Sequence, residues 1–218
     1  MTHADPAMFV RTNTAVAHPS LLPEMRLHLA TEVTPLWEAT EATLARNNLP
    51  PPYWAFAWPG GQAVARYVLD NPEIVRGKRV LDFAAGTGLV GIACALAGAA
   101  HVRAAEIDAF ALAAMELNAA LNGVALEGVS DDLVGRDLPD IDVVLAGDVC
   151  YERPMAERVT AWLRRIAAAG TLVVLGDPGR AYLPTTGLER LGRYAVPTSL
   201  ELEDRTLRET NVWRLLPG

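Results

Sequence analysis

The sequence predicts an α/β fold, a mostly parallel seven-strand sheet with helices between the strands and an antiparallel strand pair at the C-terminus. Three observations carry this. Short apolar runs at 80–83, 101–107, 125–130, 141–146 and 171–175 alternate with stretches of helical periodicity, the pattern of parallel strands joined by crossover helices. The first run opens into Gly86-Thr87-Gly88, a turn that feeds a helix. After the fifth run the helical spacing fades, and 194–202 and 206–215 read as two final strands.

Each element has a local reason. Residues 1–20 are polar and unpatterned, so they are expected to be poorly ordered unless they dock on the domain. Between residues 21 and 44, Pro23 and Pro35 interrupt the apolar positions and predict short pieces rather than one helix. Pro50-Pro51-Pro52 ends this N-terminal extension, placing a domain boundary at residues 50/51. Four aromatics follow within six residues, Tyr53, Trp54, Phe56 and Trp58. Trp54 and Phe56 suit the core, whereas Trp58, next to Pro59-Gly60-Gly61, suits a pocket wall.

Ala63, Val64, Tyr67 and Val68 predict a helix that stops at Asn71-Pro72. Val80, Leu81 and Phe83 form the first strand of the main sheet, and Leu89, Ile92, Ala93 and Leu96 the stripe of the helix behind it. The second strand ends in Glu106, and Asp108 reads as the N-cap of a helix over 109–122. Asp131 and Asp132 close the third strand; Gly147-Asp148 closes the fourth. Pro154 starts a helix whose stripe is Val159, Trp162, Leu163 and Ile166. The fifth strand runs into Gly176-Asp177-Pro178-Gly179-Arg180, a turn bordering the expected substrate mouth, and 188–191 reads as a short helix.

Composition narrows the function. With 218 residues, 51% of them hydrophobic, the chain can bury a full core in one domain but leaves no room for a second, substrate-binding domain. A net charge of −7 argues against nucleic acid as the main partner. Cys94 and Cys150 lie in apolar segments, as buried free thiols of a cytoplasmic protein would, and the four histidines form no metal-ligand spacing with them. No apolar run is long enough for a membrane span.

The glycine turn admits two ligands. Residues 86–91 match G-x-G-x-x-G, the fingerprint of an NAD-dependent oxidoreductase with a pyrophosphate over the helix N-terminus. Asp82, however, puts a carboxylate just ahead of the glycines, which repels a pyrophosphate and favours a cation such as S-adenosylmethionine, with its ammonium and sulfonium. Glu106 stands where the acid that accepts both ribose hydroxyls belongs in either case. Because ligands of open α/β sheets bind at the carboxyl ends of strands, Asp82, Glu106, Asp132 and Asp148 are expected to converge on one crevice.

Asp82-x-Ala84-x-Gly86-x-Gly88 resembles motif I of the class I (seven-strand) methyltransferases, a Rossmann-like fold, with alanine replacing the first glycine and crowding the methionine end of the cofactor. Within that superfamily, residues 54–62, Gly147-Asp148-Val149-Cys150-Tyr151 and Gly176-Asp177-Pro178-Gly179-Arg180 resemble the protein-lysine methyltransferases of the electron transfer flavoprotein β subunit. The resemblance spans about 51–213 and implies S-adenosylmethionine as cofactor and a protein lysine as acceptor. Carried onto matching positions, it implies cofactor contacts at Trp58, Asp82, Ala84, Gly86, Gly88, Glu106, Asp132 and Gly147. Asp148 and Tyr151, of the pattern D-x-x-Y, would face the acceptor amine. A small-molecule amine or a ribosomal protein as acceptor stays open.

Overall fold

The computed structural model describes residues 5–31, 34–38 and 51–218. Its centre is a seven-stranded sheet of β3 (Arg79–Phe83), β4 (His101–Ala105), β5 (Glu127–Val129), β6 (Val143–Gly147), β7 (Leu172–Asp177), β8 (Leu188–Pro197) and β9 (Leu207–Leu215). The strand order is β5-β4-β3-β6-β7-β9-β8, with the first five parallel and β7-β9-β8 antiparallel. The order reverses between β3 and β6, so the crevice that accepts ligands opens at the carboxyl ends of these two strands.

Helices α3 (Pro59–Asp70), α4 (Leu89–Leu96), α5 (Ala109–Leu121) and α6 (Arg153–Ala168) are the crossovers and covers. Strand alternation sorts the core into two layers. Val143 and Leu145 pack with Val64, Val68 and Ile92 of α3 and α4, while Val144 and Ala146 face Val159, Trp162, Leu163 and Ile166 of α6. Asp108 caps α5 as expected, its Oδ1 accepting from Phe110 N–H at 2.8 Å.

Residues 5–31 dock on the domain, the condition under which the sequence predicts them to be ordered. Asp5 caps α1 (Pro6–Asn13), and β1 (Ala15–Ala17) pairs with β2 (Leu27–Leu29) as an antiparallel ribbon; α2 (Pro35–Glu38) follows. The ribbon is fastened to α5 by two carboxamides. Asn122 exchanges hydrogen bonds with the Arg26 backbone (3.0 and 2.7 Å). The fully buried Asn118 accepts from His28 N–H at 2.7 Å and donates to the Thr87 carbonyl at 2.9 Å. Pro50 and the expected pieces over 39–44 lie outside the described residues.

Two expectations at the C-terminus are corrected. The Leu188/Leu191 spacing reads as helical, yet these residues begin β8, because pairing with all of β9 decides their conformation, with a bulge between Arg190 and Gly192. Conversely, the strand expected over 194–202 ends at Pro197, and α7 (Leu200–Glu203) begins after the Ser199 cap. That short turn places Glu203 in the interior.

Three glycines fix α3 onto the sheet. A Cβ on Gly60 would stand 2.3 Å from the Gly176 carbonyl oxygen and 2.4 Å from Asp148 Oδ2; one on Gly147 would stand 2.4 Å from Gly61 N, and one on Gly176 2.1 Å from Gly60 O. The N-terminus of α3 therefore rests backbone to backbone on the ends of β6 and β7, a contact that only glycine permits.

Candidate active site

A cavity of about 670 Å³ opens at the carboxyl ends of β3, β4 and β6, a volume suited to one small-molecule ligand. Eight of the ten residues singled out from the sequence line it: Trp58, Ala84, Gly86, Glu106, Asp132, Gly147, Asp148 and Tyr151.

Asp82 and Gly88 do not reach it. Leu81 and Phe83 face the α6 layer, so alternation turns Asp82 the other way, under α4, where Oδ2 accepts from Gly91 N–H at 2.8 Å. Gly88 faces α5 instead; a Cβ there would press on Met115 at 3.1 Å, and its φ of +76° starts α4. The expected convergence of four carboxylates is therefore one of three, with Asp82 acting on the helix. Burial pushes the Asp82 carboxyl up to about 7, the Gly91 hydrogen bond opposing this and Glu106 adding to it.

Two of the first three N–H donors of α4 are already engaged by side chains. Gly91 N–H is taken by Asp82, Leu89 N–H by Thr87 Oγ1 at 3.2 Å, and Ile92 N–H by the Gly88 carbonyl. A pyrophosphate at that position needs such donors free. It would also meet Glu106, which stands beside the turn.

Glu106 is held in place by backbone. Its Oε2 accepts from Gly86 N–H at 3.1 Å, and Oε1 from Ile107 N–H at 2.8 Å and Asp108 N–H at 3.3 Å. A carboxylate has about four acceptor sites, so with three bonded to backbone one site on Oε2 stays open beside the glycine turn. Asp131 and Asp132 both line the cavity; Asp131 pairs with Arg136 at 3.0 Å, and Asp132 faces Arg158 at 3.5 Å and caps Val134 N–H.

Two non-glycine residues carry positive φ at adjacent strand ends on this cavity, Ala84 at +54° and Asp148 at +55°. Ala84 occupies the motif position where a glycine would be unstrained. For Asp148 the turn aims the carboxylate inward: Oδ2 accepts from Gly61 N–H at 3.1 Å, and Oδ1 accepts from Arg180 Nη2 at 2.9 Å and Nε at 3.2 Å. Burial pushes Asp148 up to about 6; Arg180 pulls it down, and Asp177 and Glu203 push it up.

Aromatic rings form the opposite wall. Trp58 donates Nε1–H to the Tyr53 carbonyl at 2.8 Å, and Tyr53 lies 5.8 Å from the Tyr151 ring and 6.1 Å from the Trp58 ring, centroid to centroid. Burial raises the Tyr151 phenol above its ordinary value, so it is a neutral hydrogen-bonding group at physiological pH. Trp54 is buried with Phe110, as expected for core, yet one edge also lines the cavity. Sequence reasoning placed Arg180 at the mouth but missed its hold on Asp148. The partner beyond it, Glu203, carries no sequence signal, because it falls between the two expected strands, 194–202 and 206–215.

Residues 67–175 match the family model described as ribosomal protein L11 methyltransferase (PrmA). The chain is 37% identical over 218 residues to the electron transfer flavoprotein beta subunit lysine methyltransferase of Xenopus laevis, covering 97% of this chain and 87% of the relative. The protein of the same name from Homo sapiens is 34% identical over 216 residues, covering 96% and 81%. Among solved structures, the fold resembles magnesium protoporphyrin IX methyltransferase (ChlM) from Synechocystis PCC 6803 with bound SAM, with TM-score 0.53, 16% identity and coverage of 72% of this chain and 78% of that one. Among the described residues, no helix is long and apolar enough to cross a membrane.

Proposed function

The chain belongs to the electron transfer flavoprotein β subunit lysine methyltransferases, and from that premise we propose that it transfers methyl groups from S-adenosylmethionine to lysines of that subunit. The observation that carries the cofactor reading is the engagement of the α4 N-terminus by side chains. With two of its first three donors taken by Asp82 and Thr87, the glycine turn offers a carboxylate-rimmed cleft rather than an anion cradle. The residues fit the group: Gly86 would let backbone approach it, Glu106 would accept from a ribose hydroxyl through the open site on Oε2, Asp132 would accept from its adenine amino group, and Trp58, Ala84 and Gly147 would wall its reactive end.

When bound, S-adenosylmethionine supplies an electrophilic methyl on a cationic sulfur. The chain itself provides alignment, since an in-line displacement by nitrogen needs no side-chain nucleophile. A lysine ammonium ordinarily loses its proton near 10.4. Asp148 orients it through a charge-assisted hydrogen bond, which by itself favours the charged form. The walls of Tyr53, Trp58 and Tyr151 work the other way, disfavouring the charged form, so that the ammonium yields its proton to water at the cavity mouth and attacks as the neutral amine.

The test is incubation with labelled S-adenosylmethionine and purified electron transfer flavoprotein, followed by mass-spectrometric mapping of the lysines. Asp148→Asn is expected to keep cofactor affinity within a few-fold and to lower turnover by roughly 100-fold or more; full turnover in that variant rejects the role given to Asp148. The match over 67–175 to a ribosomal protein methyltransferase favours a ribosomal protein as second acceptor, and including one in the assay decides between them. The acidic chain, pI near 5.1, disfavours nucleic acid as acceptor, and the two buried free thiols suit the cytoplasm.

A further inference from the structure

Arg180 follows the turn after β7, Asp148 directly follows β6, and Glu203 comes from α7, between β8 and β9. The Arg180 guanidinium donates to Asp148 through Nη2 and Nε, and to Glu203 through Nη1 (3.2 Å) and Nη2. Its Cζ stands 5.9 Å from the Trp58 ring centroid, in the cavity wall. Glu203, with a side chain 1% exposed, also accepts from Arg208 Nε at 2.9 Å, and Arg208 pairs outward with the exposed Asp204. Inside the cluster, the buried carboxyls of Asp148, Asp177 and Glu203 face the guanidiniums of Arg180 and Arg208. The cluster thus holds more carboxyls than guanidiniums, and the cation paired with Asp148 belongs to the protein.

We propose that Arg180 is a specificity-determining residue: its guanidinium holds the place on Asp148 that the acceptor ammonium takes, and Glu203 keeps the guanidinium when the amine arrives. The inference rests on the proposed lysine acceptor. The exchange costs little because Arg180 already bonds both carboxylates, so leaving Asp148 strands neither ion. It also sorts acceptors by donor count. A primary ammonium brings three N–H donors to Asp148 and competes with the guanidinium fork, whereas each added methyl removes one donor, until trimethyllysine has none and Arg180 regains the carboxylate. Asp177, within the same pocket of charge, spends Oδ1 on Gly179 and Arg180 backbone N–H groups; its Oδ2 is buried without a hydrogen-bond partner, but Asp177 does not line the cavity and so is not a competing seat.

The experiment follows the Arg180 side-chain Nε–H by NMR in the full chain with S-adenosylhomocysteine bound, during titration with N-acetyl-lysine amide and, separately, with N-acetyl-norleucine amide. The inference expects the Arg180 signal to move with the lysine analogue and not with norleucine. An unmoved signal under saturating lysine analogue, equal shifts with both, or no binding of the lysine analogue overturns it. In parallel, Arg180→Gln should lower the acceptor KM at pH 9 about 10-fold, a competing charged hydrogen bond having been removed, and move the acid limb of kcat/KM to higher pH. Arg180→Lys should restore most of both, whereas an unchanged KM and pH profile in Arg180→Gln refutes the exchange. Wild-type turnover of the flavoprotein subunit is read separately. Methylation with a static Arg180 rejects only this inference; a mobile Arg180 without methylation rejects only the proposed acceptor.

Discussion

Replacing Gly60 by alanine tests whether the backbone contact between α3 and the sheet sets the position of Asp148. The added Cβ would lie 2.3 Å from Gly176 O, 2.4 Å from Asp148 Oδ2 and 2.7 Å from Asp148 N, where ordinary contact begins near 3.4 Å. Two of these neighbours are backbone atoms of adjacent strands, so α3 must lift by about 1 Å. Overpacking of this kind costs ~1–3 kcal/mol, and backbone neighbours put Gly60→Ala at the upper end. For a chain of this length that lowers Tm by roughly 6–12 °C. A shift of about 1 Å at the reacting centre lowers turnover by roughly 100-fold. Gly61→Ala is the control: its Cβ would meet only Leu89 Cδ2 at 3.9 Å, and alanine favours the helix by up to ~1 kcal/mol. Urea melts and single-turnover methylation of both variants give the answer. A Gly60→Ala protein within ~0.5 kcal/mol of wild type, or equal damage from the two substitutions, refutes the reasoning.

Ala84→Gly relieves a left-handed alanine beside the cofactor cavity, so it should raise stability by ~1 kcal/mol in urea melts without raising the cofactor Kd. Asp82 carries a pH signature. Its folded-state value of about 7 lies above its ordinary 3.8, so the native state keeps a proton that the unfolded chain has lost, and stability falls as pH rises from about 4 to 7. Asp82→Asn removes that loss, and its stability relative to wild type should climb by ~4 kcal/mol between pH 4 and 8, measured by melts across the range. Glu106→Gln keeps the size of the side chain but weakens acceptance from ribose hydroxyls and the Gly86 amide; calorimetry should show a 10- to 100-fold weaker cofactor Kd by the loss of charged hydrogen bonds, with the melting temperature of the free protein lowered by only a few degrees.

The parts of this molecule that were legible in the sequence are those whose local pattern and final environment agree. Val143 to Ala146 is apolar throughout because the strand is covered on both faces, and Val159, Trp162, Leu163 and Ile166 recur as a helix facing a sheet must. Glu106, Asp132 and Asp148 were legible because they end strands, and the switch point does the rest. Asp82 lies one residue before its strand ends, but strand alternation and unsatisfied helix donors took it elsewhere, and only packing decides that. β1 and β2 have three residues each, too few to display a period. The Arg180–Glu203 contact joins residues 23 apart through a helix whose own sequence gave no cue.

Asn118 ties the N-terminal ribbon and the glycine turn into a single mechanical unit. Its amide group is sealed from water, so peeling His28 away would abandon a carbonyl with no substitute partner, and the same motion would slacken the grip on Thr87. Whatever steadies the turn must then steady a strand near the start of the chain. Filling the cleft should accordingly slow deuterium uptake at the His28 amide, far along the sequence from any atom that touches the ligand.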